Sequence, residues 1–444
     1  MADTALATPP ETKMDPGRSM SAAAAATCNQ IVDPAVYADQ PTLDAAFAQL
    51  RAEDPLAWCE PEDFRPFWAV TKHADIMEVS RQNQLFTNGE REMLSYKHTE
   101  DKVYGEYGQP HLLKTLVQLD DPLHFKLRHL TQEWFMPQNV KKREDGVRAI
   151  AKQFVDRMED LGGTCDFQRD IALHYPLRVI MQILGVPESD EPMMLKLTQE
   201  IFGAQDEDLS RNKDALEERD VEKGLASIQQ TLAEFFMYFT AITADRRANP
   251  RDDVSTVIAN GMVDGEPIGQ LEAMSYYIIT AAAGHDTTSA STGGGVLAML
   301  QDRAQLKKMM GDPKGMARTA VDEAIRWTTP VKHFMRTAHA DYEMRGKTIK
   351  EGESLLLCYP SGNRDEEVFE DPFKFKVDRS PNKLISFGHG GHMCLGMHLA
   401  RLEMQIIYEE LFSRIKSFEL AGDPTFIKAN FVGGPKSIPV RYKF

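Results

Sequence analysis

Near its C-terminus the chain contains the stretch Phe387-Gly388-His389-Gly390-Gly391-His392-Met393-Cys394-Leu395-Gly396. Leucine and isoleucine follow Cys394 at spacings of four, three and four residues, which predicts an amphipathic helix. Cys394 is therefore expected at a helix N-terminus, where free N–H groups and the helix dipole favour a thiolate, and a thiolate is a metal ligand. The glycines around it would let a flat macrocycle lie against the backbone. Taken alone, the loop also fits a buried structural cysteine in a turn.

The loop resembles the haem-ligand signature of the cytochrome P450 family, Phe-x-x-Gly-x-x-x-Cys-x-Gly, through Phe387, Gly390, Cys394 and Gly396. The resemblance runs from about residue 40 to the C-terminus. It implies a mainly α-helical triangular prism with a smaller β-rich region. It also implies haem b (iron protoporphyrin IX) with Cys394 as the iron ligand, and Phe387 and Gly396 beside the cofactor.

A second motif, Ala283-Gly284-His285-Asp286-Thr287-Thr288, is similar to the oxygen-activation motif of that family. A hydroxyl at Thr287 can hold oxygen or a water, and Asp286 can supply protons as a general acid. The small residues Ala283 and Gly284 are expected to leave space for oxygen. The Thr287 hydroxyl can also bond back to the carbonyl of residue 283. On its own, the motif fits better a threonine pair on a helix with a solvated aspartate, and its position 107 residues before Cys394 favours the oxygen-activation interpretation.

Further family positions are matched by charged residues. Glu323 and Arg326 fit the Glu-x-x-Arg pair, and the resemblance makes Arg379 the third member of a buried, structural charge triad. His124 and Arg128 lie four residues apart, so both can face one ligand from one side of a helix. By resemblance these two, together with Arg336 and His392, contact the haem propionates. Taken singly, each of the four could be a solvated basic side chain.

Composition narrows the class of protein. The chain has 444 residues with 42% hydrophobic and 27% charged residues, which is ordinary for an enzyme with a sizeable core. We expect a flexible N-terminal tail over residues 1–30 and a single domain over residues 31–444. The 51 basic and 67 acidic residues give a net charge of −16, which argues against general affinity for nucleic acid or an anionic membrane.

The five cysteines are odd in number and scattered, so neither a disulfide framework nor a zinc site is expected. A reducing cytoplasm fits this pattern. The N-terminus lacks the basic and apolar regions of a secretory signal. Eukaryotic members of the family usually carry an N-terminal membrane anchor; this chain shows none, and so resembles the bacterial branch.

Local patterns predict several elements. Residues 67–70 read as a strand, with residues 341–344 and 354–358 as its partners. Helices are predicted over residues 121–162, with Asp121 as cap and Pro122 at the first helical position, and over 192–203, 221–248 and 270–300. Residues 82–113 read as a long loop with one short helix. The glycines at 293–295 predict a bend or close packing, and residues 431–435 predict a turn.

The implied reaction is insertion of one oxygen atom of O₂ into a C–H bond of a small hydrophobic substrate. A peroxide-driven peroxygenase and a non-catalytic haem-thiolate sensor are the alternatives, and the acid–alcohol pair counts against both. The contexts of residues 119–122 and of the cysteine loop resemble bacterial terpene and alkylbenzene hydroxylases. By family position the substrate pocket is lined by Ile279, Ala283, Val331, Phe334 and Val432.

The chain has no flavin- or iron–sulfur-binding segment of its own, so electrons must come from a separate carrier. In bacterial relatives this is usually an acidic [2Fe–2S] ferredoxin that a ferredoxin reductase reduces. The expected docking surface is locally basic, with Lys141, Lys142, Arg143 and Lys383 as candidates.

Overall fold

The computed structural model describes residues 18–217 and 220–444. The helices of that part of the chain are α1 (Ala22–Val32), α2 (Gln40–Glu53), α3 (His73–Arg81), α4 (Lys97–Tyr107), α5 (Leu123–Gln132), α6 (Pro137–Lys141), α7 (Glu144–Asp160), α8 (His174–Leu184), α9 (Glu191–Phe202), α10 (Lys213–Glu217), α11 (Val221–Ala248), α12 (Val254–Ala259), α13 (Gln270–Gln301), α14 (Arg303–Gly311), α15 (Pro313–Thr328), α16 (Tyr359–Gly362) and α17 (Met397–Arg414). The strands are β1 (Leu56–Cys59), β2 (Phe67–Val70), β3 (Phe86–Thr87), β4 (Thr164–Asp166), β5 (Met262–Val263), β6 (Glu266–Pro267), β7 (His333–Ala338), β8 (Tyr342–Met344), β9 (Lys347–Ile349), β10 (Ser354–Cys358), β11 (Ser417–Leu420), β12 (Thr425–Phe426), β13 (Pro435–Ser437) and β14 (Pro439–Lys443). The fold is mainly α with smaller β regions, as predicted.

Helix α13 runs through the middle of the largest hydrophobic cluster and packs against α8 and α15. Its predicted bounds differ from the observed ones by one residue. The three glycines at 293–295 pack closely rather than making a bend. A Cβ on Gly293 would lie 1.8 Å from Oε1 of Gln168, and one on Gly295 would lie 2.2 Å from the hydroxyl of Tyr408. The glycines therefore let neighbouring elements approach the helix backbone.

The main sheet has five strands in the order β1-β2-β10-β7-β3. Strand β10 runs parallel to β2, which confirms the predicted pairing of residues 67–70 with 354–358. The prediction that residues 341–344 join this sheet is wrong. Strand β8 instead pairs with β9 in a hairpin of its own, because the connecting turn at Arg345 and Gly346 folds the chain back at once. The predicted turn at 431–435 does lie between β12 and β13.

The beginning of the described chain departs from the sequence expectation. Residues 22–32 form α1, whose Ala24 and Ile31 are fully buried, so the expected tail ends earlier than residue 30. The remainder of that expected tail, residues 1–17, lies outside the described residues. The expectation that no disulfide forms is also wrong, since Cys28 of α1 is bonded to Cys59 of β1. Scattered cysteines gave no local signal of this pairing, which depends on tertiary packing.

The predicted helix over residues 121–162 is split into α5, α6 and α7. The predicted capping is shifted by one residue: α5 starts at Leu123 with Pro122 at the cap position, while Oδ1 of Asp121 accepts from the Phe125 N–H at 3.2 Å. Helices α9 and α11 agree with prediction to within one residue, and residues 82–113 hold the one expected short helix, α4, besides strand β3. Among the described residues, no helix is long and apolar enough to cross a membrane.

Candidate active site around Cys394

The loop that carries Cys394 is closed by its own backbone. The Cys394 N–H donates to the Phe387 carbonyl at 2.8 Å, and residues 390–392 form a single 3₁₀ turn. Gly390 has φ of 72°, and a Cβ there would lie 2.0 Å from the Ser80 carbonyl at the end of α3. Only glycine fits this position, so the loop is seated directly on α3.

Cys394 lies two residues further from helix α17 than the sequence suggested, because α17 begins at Met397. Burial among protein atoms raises the pKa of Cys394, although the residue keeps exposed surface. The backbone N–H groups of Gly396 and Met397 and the guanidinium groups of Arg128 and Arg401 act in the opposite direction. These local charges do not by themselves make Cys394 a thiolate. A bound metal cation would do so, since metal ligation deprotonates thiols.

Four basic residues, two histidines and two arginines, meet beside this loop. The rings of His124 and His392 stack with centroids 4.0 Å apart, and Nη2 of Arg128 donates to the Met393 carbonyl at 2.7 Å. Burial, followed by the charges of His124, Arg336 and Arg128, lowers the pKa of His392 to about 2. The structure thus brings together all four residues for which propionate contacts were predicted.

The two arginines of this cluster lack the carboxylate partners that buried cations need. Within residues 18–217 and 220–444, neither Arg128 nor Arg336 forms an ion pair with a carboxylate, although Arg336 is only 3% exposed. Nε2 of His124 and Nδ1 of His392 are buried without a hydrogen-bond partner. A Cβ on Gly396 would meet no atom within 4 Å, so there is room next to the cysteine. The residues therefore fit a flat ligand with two carboxylates, as haem is.

The acid–alcohol pair, Asp286 and Thr287, lies near the middle of the length of α13. The Thr287 hydroxyl donates to the Ala283 carbonyl at 2.8 Å, which is the predicted back-bond. Oδ2 of Asp286 is buried without a partner, and Oδ1 lies 3.4 Å from Nδ1 of His285. Burial raises the pKa of Asp286, while His285 acts to lower it. Burial therefore favours the protonated form of this carboxyl group.

The expectation that Gly284 leaves space for oxygen is not met, because a Cβ there would lie 2.9 Å from the Ile180 side chain of α8. The small size of Gly284 allows α8 and α13 to pack closely. Ala283 is half-buried.

The structure brings Glu323, Arg326 and Arg379 into one buried triad. Oε2 of Glu323 accepts from Nε of Arg326 at 2.7 Å and from Nε of Arg379 at 2.9 Å. The Arg326 guanidinium also donates to the carbonyls of Asn363 and Pro372. Helix α15 is thereby fastened to the segment that leads into the cysteine loop.

The residues predicted for the substrate pocket lie in two places, the Val331–Val432 bridge with the neighbouring Phe334, and helix α13. Val331 and Val432 face each other in a β-bridge, and Phe334 packs against Phe431 with ring centroids 5.5 Å apart. Ile279 lies one helical turn before Ala283 on α13. Phe431, the first residue of the predicted turn, was not among the predicted pocket residues, although it packs against one of them.

A cavity of about 330 Å³ lies between α9, α13 and the β12–β13 hairpin. Of the predicted site residues, it is lined by Asp286 and Val432. The acid of the pair therefore borders a cavity that residues of α9 and of the β12–β13 hairpin also line.

The four basic docking candidates differ in their surroundings. Lys141, Lys142 and Lys383 are exposed. Arg143 is ion-paired with Asp252 at 2.8 Å and lies 4.3 Å above the Trp134 ring, so its charge is partly neutralised.

Comparison with known proteins places this site in a family. A family model for Cytochrome P450 matches residues 315–437. The chain is 45% identical over 414 residues to Cytochrome P450-terp from Pseudomonas sp, covering 93% of this chain and 96% of that protein. It is 29% identical to Linalool 8-monooxygenase from Pseudomonas putida, covering 92% and 97% of the two chains. The crystal structure of CYP108D1 from Novosphingobium aromaticivorans superimposes with a TM-score of 0.86 at 43% identity, covering 94% of this chain and 98% of that one.

Proposed function

The chain belongs to the cytochrome P450 family and is a monooxygenase, and from that premise we propose that it hydroxylates a small hydrophobic compound of the terpenoid or alkyl-aromatic type. The observation that carries the proposal is the cluster of His124, Arg128, Arg336 and His392 beside Cys394. Arg336 is buried and Arg128 is half-buried, and neither has a carboxylate partner among the described residues, which suits a cofactor that brings two carboxylates of its own.

In this proposal the cofactor is haem b, Cys394 is its iron ligand, and the two histidines and two arginines of the cluster hold its propionates. Phe387 and Gly396 border it. When bound, the haem activates O₂ and transfers one oxygen atom, and thiolate ligation favours O–O cleavage. The Glu323–Arg326–Arg379 triad acts at a distance by holding the cysteine loop in place against α15.

The protein's own contribution to the reaction is the control of protons. Burial raises the pKa of Asp286 and so favours its protonated form. The Thr287 hydroxyl lies on the next residue and can pass a proton on, or hold a water that does so. Two protons are needed for each O₂ that yields one hydroxylated product and one water. Asp286 must therefore be recharged from solvent, and the cavity beside it supports such a route.

The substrate class is proposed from the lining and the relatives. Phe334 and Phe431, with the bridged Val331 and Val432, present an apolar surface. Ile279 and Ala283 add to it from α13. Such a surface favours a compact hydrocarbon skeleton. Two relatives have names that point to terpenes, Cytochrome P450-terp and Linalool 8-monooxygenase, and this supports the same class.

Electrons are proposed to come from a [2Fe–2S] ferredoxin that a ferredoxin reductase keeps reduced. The test is reconstitution of the holoenzyme with such a pair, NADH and ¹⁸O₂, using a panel of monoterpene alcohols and alkylbenzenes. We expect one hydroxylated product to carry ¹⁸O and NADH oxidation to match product formation. If hydrogen peroxide alone drives the reaction equally fast, the protein is a peroxygenase. If no compound of either class is hydroxylated, the substrate proposal is wrong.

A further inference from the structure

His285 stands next to the relay acid and is fully buried, yet the family motif does not specify its identity. Nε2 of His285 lies 2.7 Å from the Leu173 carbonyl, just before α8. Nδ1 lies 2.8 Å from the Thr198 hydroxyl of α9 and 3.4 Å from Oδ1 of Asp286. One imidazole therefore contacts two neighbouring elements and the acid.

The partners fix how this imidazole can be protonated. A carbonyl only accepts, so Nε2 must carry hydrogen. Nδ1 then faces a hydroxyl that can donate or accept and a carboxyl group that can be protonated or ionised. If both Nδ1 and Asp286 lacked a proton, two lone pairs would face each other. A single proton on either Nδ1 or Oδ1 removes this repulsion across the 3.4 Å between them, and the Thr198 hydroxyl at 2.8 Å completes the contacts of Nδ1.

We propose that His285 is a positioning residue that shares the proton of Asp286, so that the His285–Asp286 pair, rather than Asp286 alone, stores the proton for the reaction. The inference rests on the proposed monooxygenase function. The proton moves between Nδ1 of His285 and Oδ1 of Asp286 without a change in net charge. When Asp286 releases it toward Thr287, the pair is left with one negative charge, and one proton from solvent restores it.

The other charged side chains near the His285–Asp286 pair form ion pairs of their own. Arg169, Asp208 and Lys436 line the same cavity as Asp286. Lys436 is paired with Asp208 at 2.7 Å and with Asp206 at 3.1 Å, and Arg169 lies 3.7 Å from Asp166. The imidazole is hydrogen-bonded to the Leu173 carbonyl, just before α8, and to the Thr198 hydroxyl of α9, and neither group is charged. Asp286 is therefore the charged group nearest to the imidazole among these contacts.

Two variants separate proton sharing from simple packing. His285→Gln keeps an N–H that can reach the Leu173 carbonyl but loses the titratable nitrogen that faces Asp286. Thr198→Val is the matched control, because it removes the hydroxyl and keeps the imidazole; Thr198 does not line the cavity.

For His285→Gln we expect kcat to fall roughly tenfold with KM unchanged, and the solvent isotope effect to rise, because delivery of a proton is impaired. The alkaline limb of the kcat profile should move to higher pH, since the positive charge that lowers the pKa of Asp286 is gone. Thr198→Val should retain the wild-type profile. In the Asp286→Asn background, His285→Gln should have no added effect.

Three results would overturn the inference: a wild-type pH profile in His285→Gln, the same defect in Thr198→Val, or effects of His285→Gln and Asp286→Asn that multiply. A measurement without turnover complements these assays. In the diamagnetic ferrous carbon monoxide complex, the ¹⁵N resonances of His285 should titrate differently in the wild type and in Asp286→Asn. Identical titration would refute proton sharing even if His285→Gln does not fold. The NMR titration does not depend on substrate. It can therefore refute proton sharing while the proposed function stands, and it can support proton sharing even if the proposed substrate class is wrong.

Discussion

The rings of His124 and His392 stack 4.0 Å apart, and this contact joins helix α5 to the cysteine loop. The charge of Arg336, on β7, acts on the same pair and helps to lower the pKa of His392. Three separate elements thus present nitrogen atoms to one place. Such an arrangement costs free energy through repulsion and desolvation unless an anion binds there.

The first prediction follows for Arg336. Its buried guanidinium donates to the Met335 carbonyl at 2.6 Å and has no carboxylate partner in the described part of the chain. Arg336→Leu should weaken haem retention about 10- to 100-fold, since a hydrogen bond to a charged group contributes about 1.5–3 kcal/mol. The measurement is haem transfer to an excess of apomyoglobin. Arg441→Leu removes an exposed arginine and should retain haem like the wild type. Equal retention in both variants would contradict the assigned contact.

The second prediction concerns the iron ligand. Cys394→His should abolish the red-shifted Soret band of the reduced carbon monoxide complex, because only a thiolate ligand produces it. Cys165→Ser and Cys358→Ser should preserve the band, and so should replacement of Cys28 or Cys59, although loss of their disulfide lowers stability by about 2–4 kcal/mol. A persistent band in Cys394→His would refute the cofactor assignment.

Elements whose sequence determines them locally were predicted well. Residues 221–248 and 270–301 form long helices because they lack proline and carry a continuous apolar pattern. Features that depend on tertiary contacts were not predicted. Helix α1 is held by burial of alanines and by the Cys28–Cys59 bond, neither of which a local pattern reveals.

The candidate site likewise has residues that the sequence predicts and contacts that it does not. Its ligand, acid–alcohol pair and charge triad could be located because each motif has fixed spacing. The contacts of His285 with Thr198 and Leu173 join residues 87 and 112 positions apart, so no spacing in the sequence indicates them. The close approach of Ile180 to Gly284 escaped prediction for the same reason.

The third prediction concerns proton delivery. Thr287→Ala should continue to consume NADH while releasing hydrogen peroxide in place of product, because the protons are no longer directed. Asp286→Asn should lower kcat on the order of 100-fold, since a general acid is lost. Product, peroxide and NADH are measured together in one assay. Wild-type coupling and rate in both variants would remove the roles assigned to this pair.

The fourth prediction concerns Glu403 of α17, which is 2% exposed and has Oε2 buried without a partner. Burial raises its pKa well above the ordinary value, while Thr288 acts to lower it. The stability that the protonated form contributes is complete below the unfolded-state pKa of about 4.3 and is lost as pH rises toward the folded-state pKa. Glu403→Gln stays neutral, so its Tm relative to the wild type should increase between pH 5 and pH 8. The exposed Glu266→Gln should show no such trend, and a pH-independent difference for Glu403→Gln would contradict the prediction.

The last prediction concerns the ferredoxin. Lys141 and Lys142 are exposed at the end of α6, while Arg143 is already paired with Asp252. The two lysines should therefore contribute most of the local attraction to an acidic carrier. Electrostatic steering raises the association rate and fades as salt screens it. We expect ferredoxin-driven reduction of the wild type to slow with rising ionic strength, and the Lys141→Ala/Lys142→Ala variant to be slower at low salt with a shallower dependence. Lys416→Ala/Lys443→Ala changes the net charge equally at another exposed site and serves as the control. Stopped-flow reduction under carbon monoxide measures both, and equal salt dependence in the two double variants would place the docking surface elsewhere.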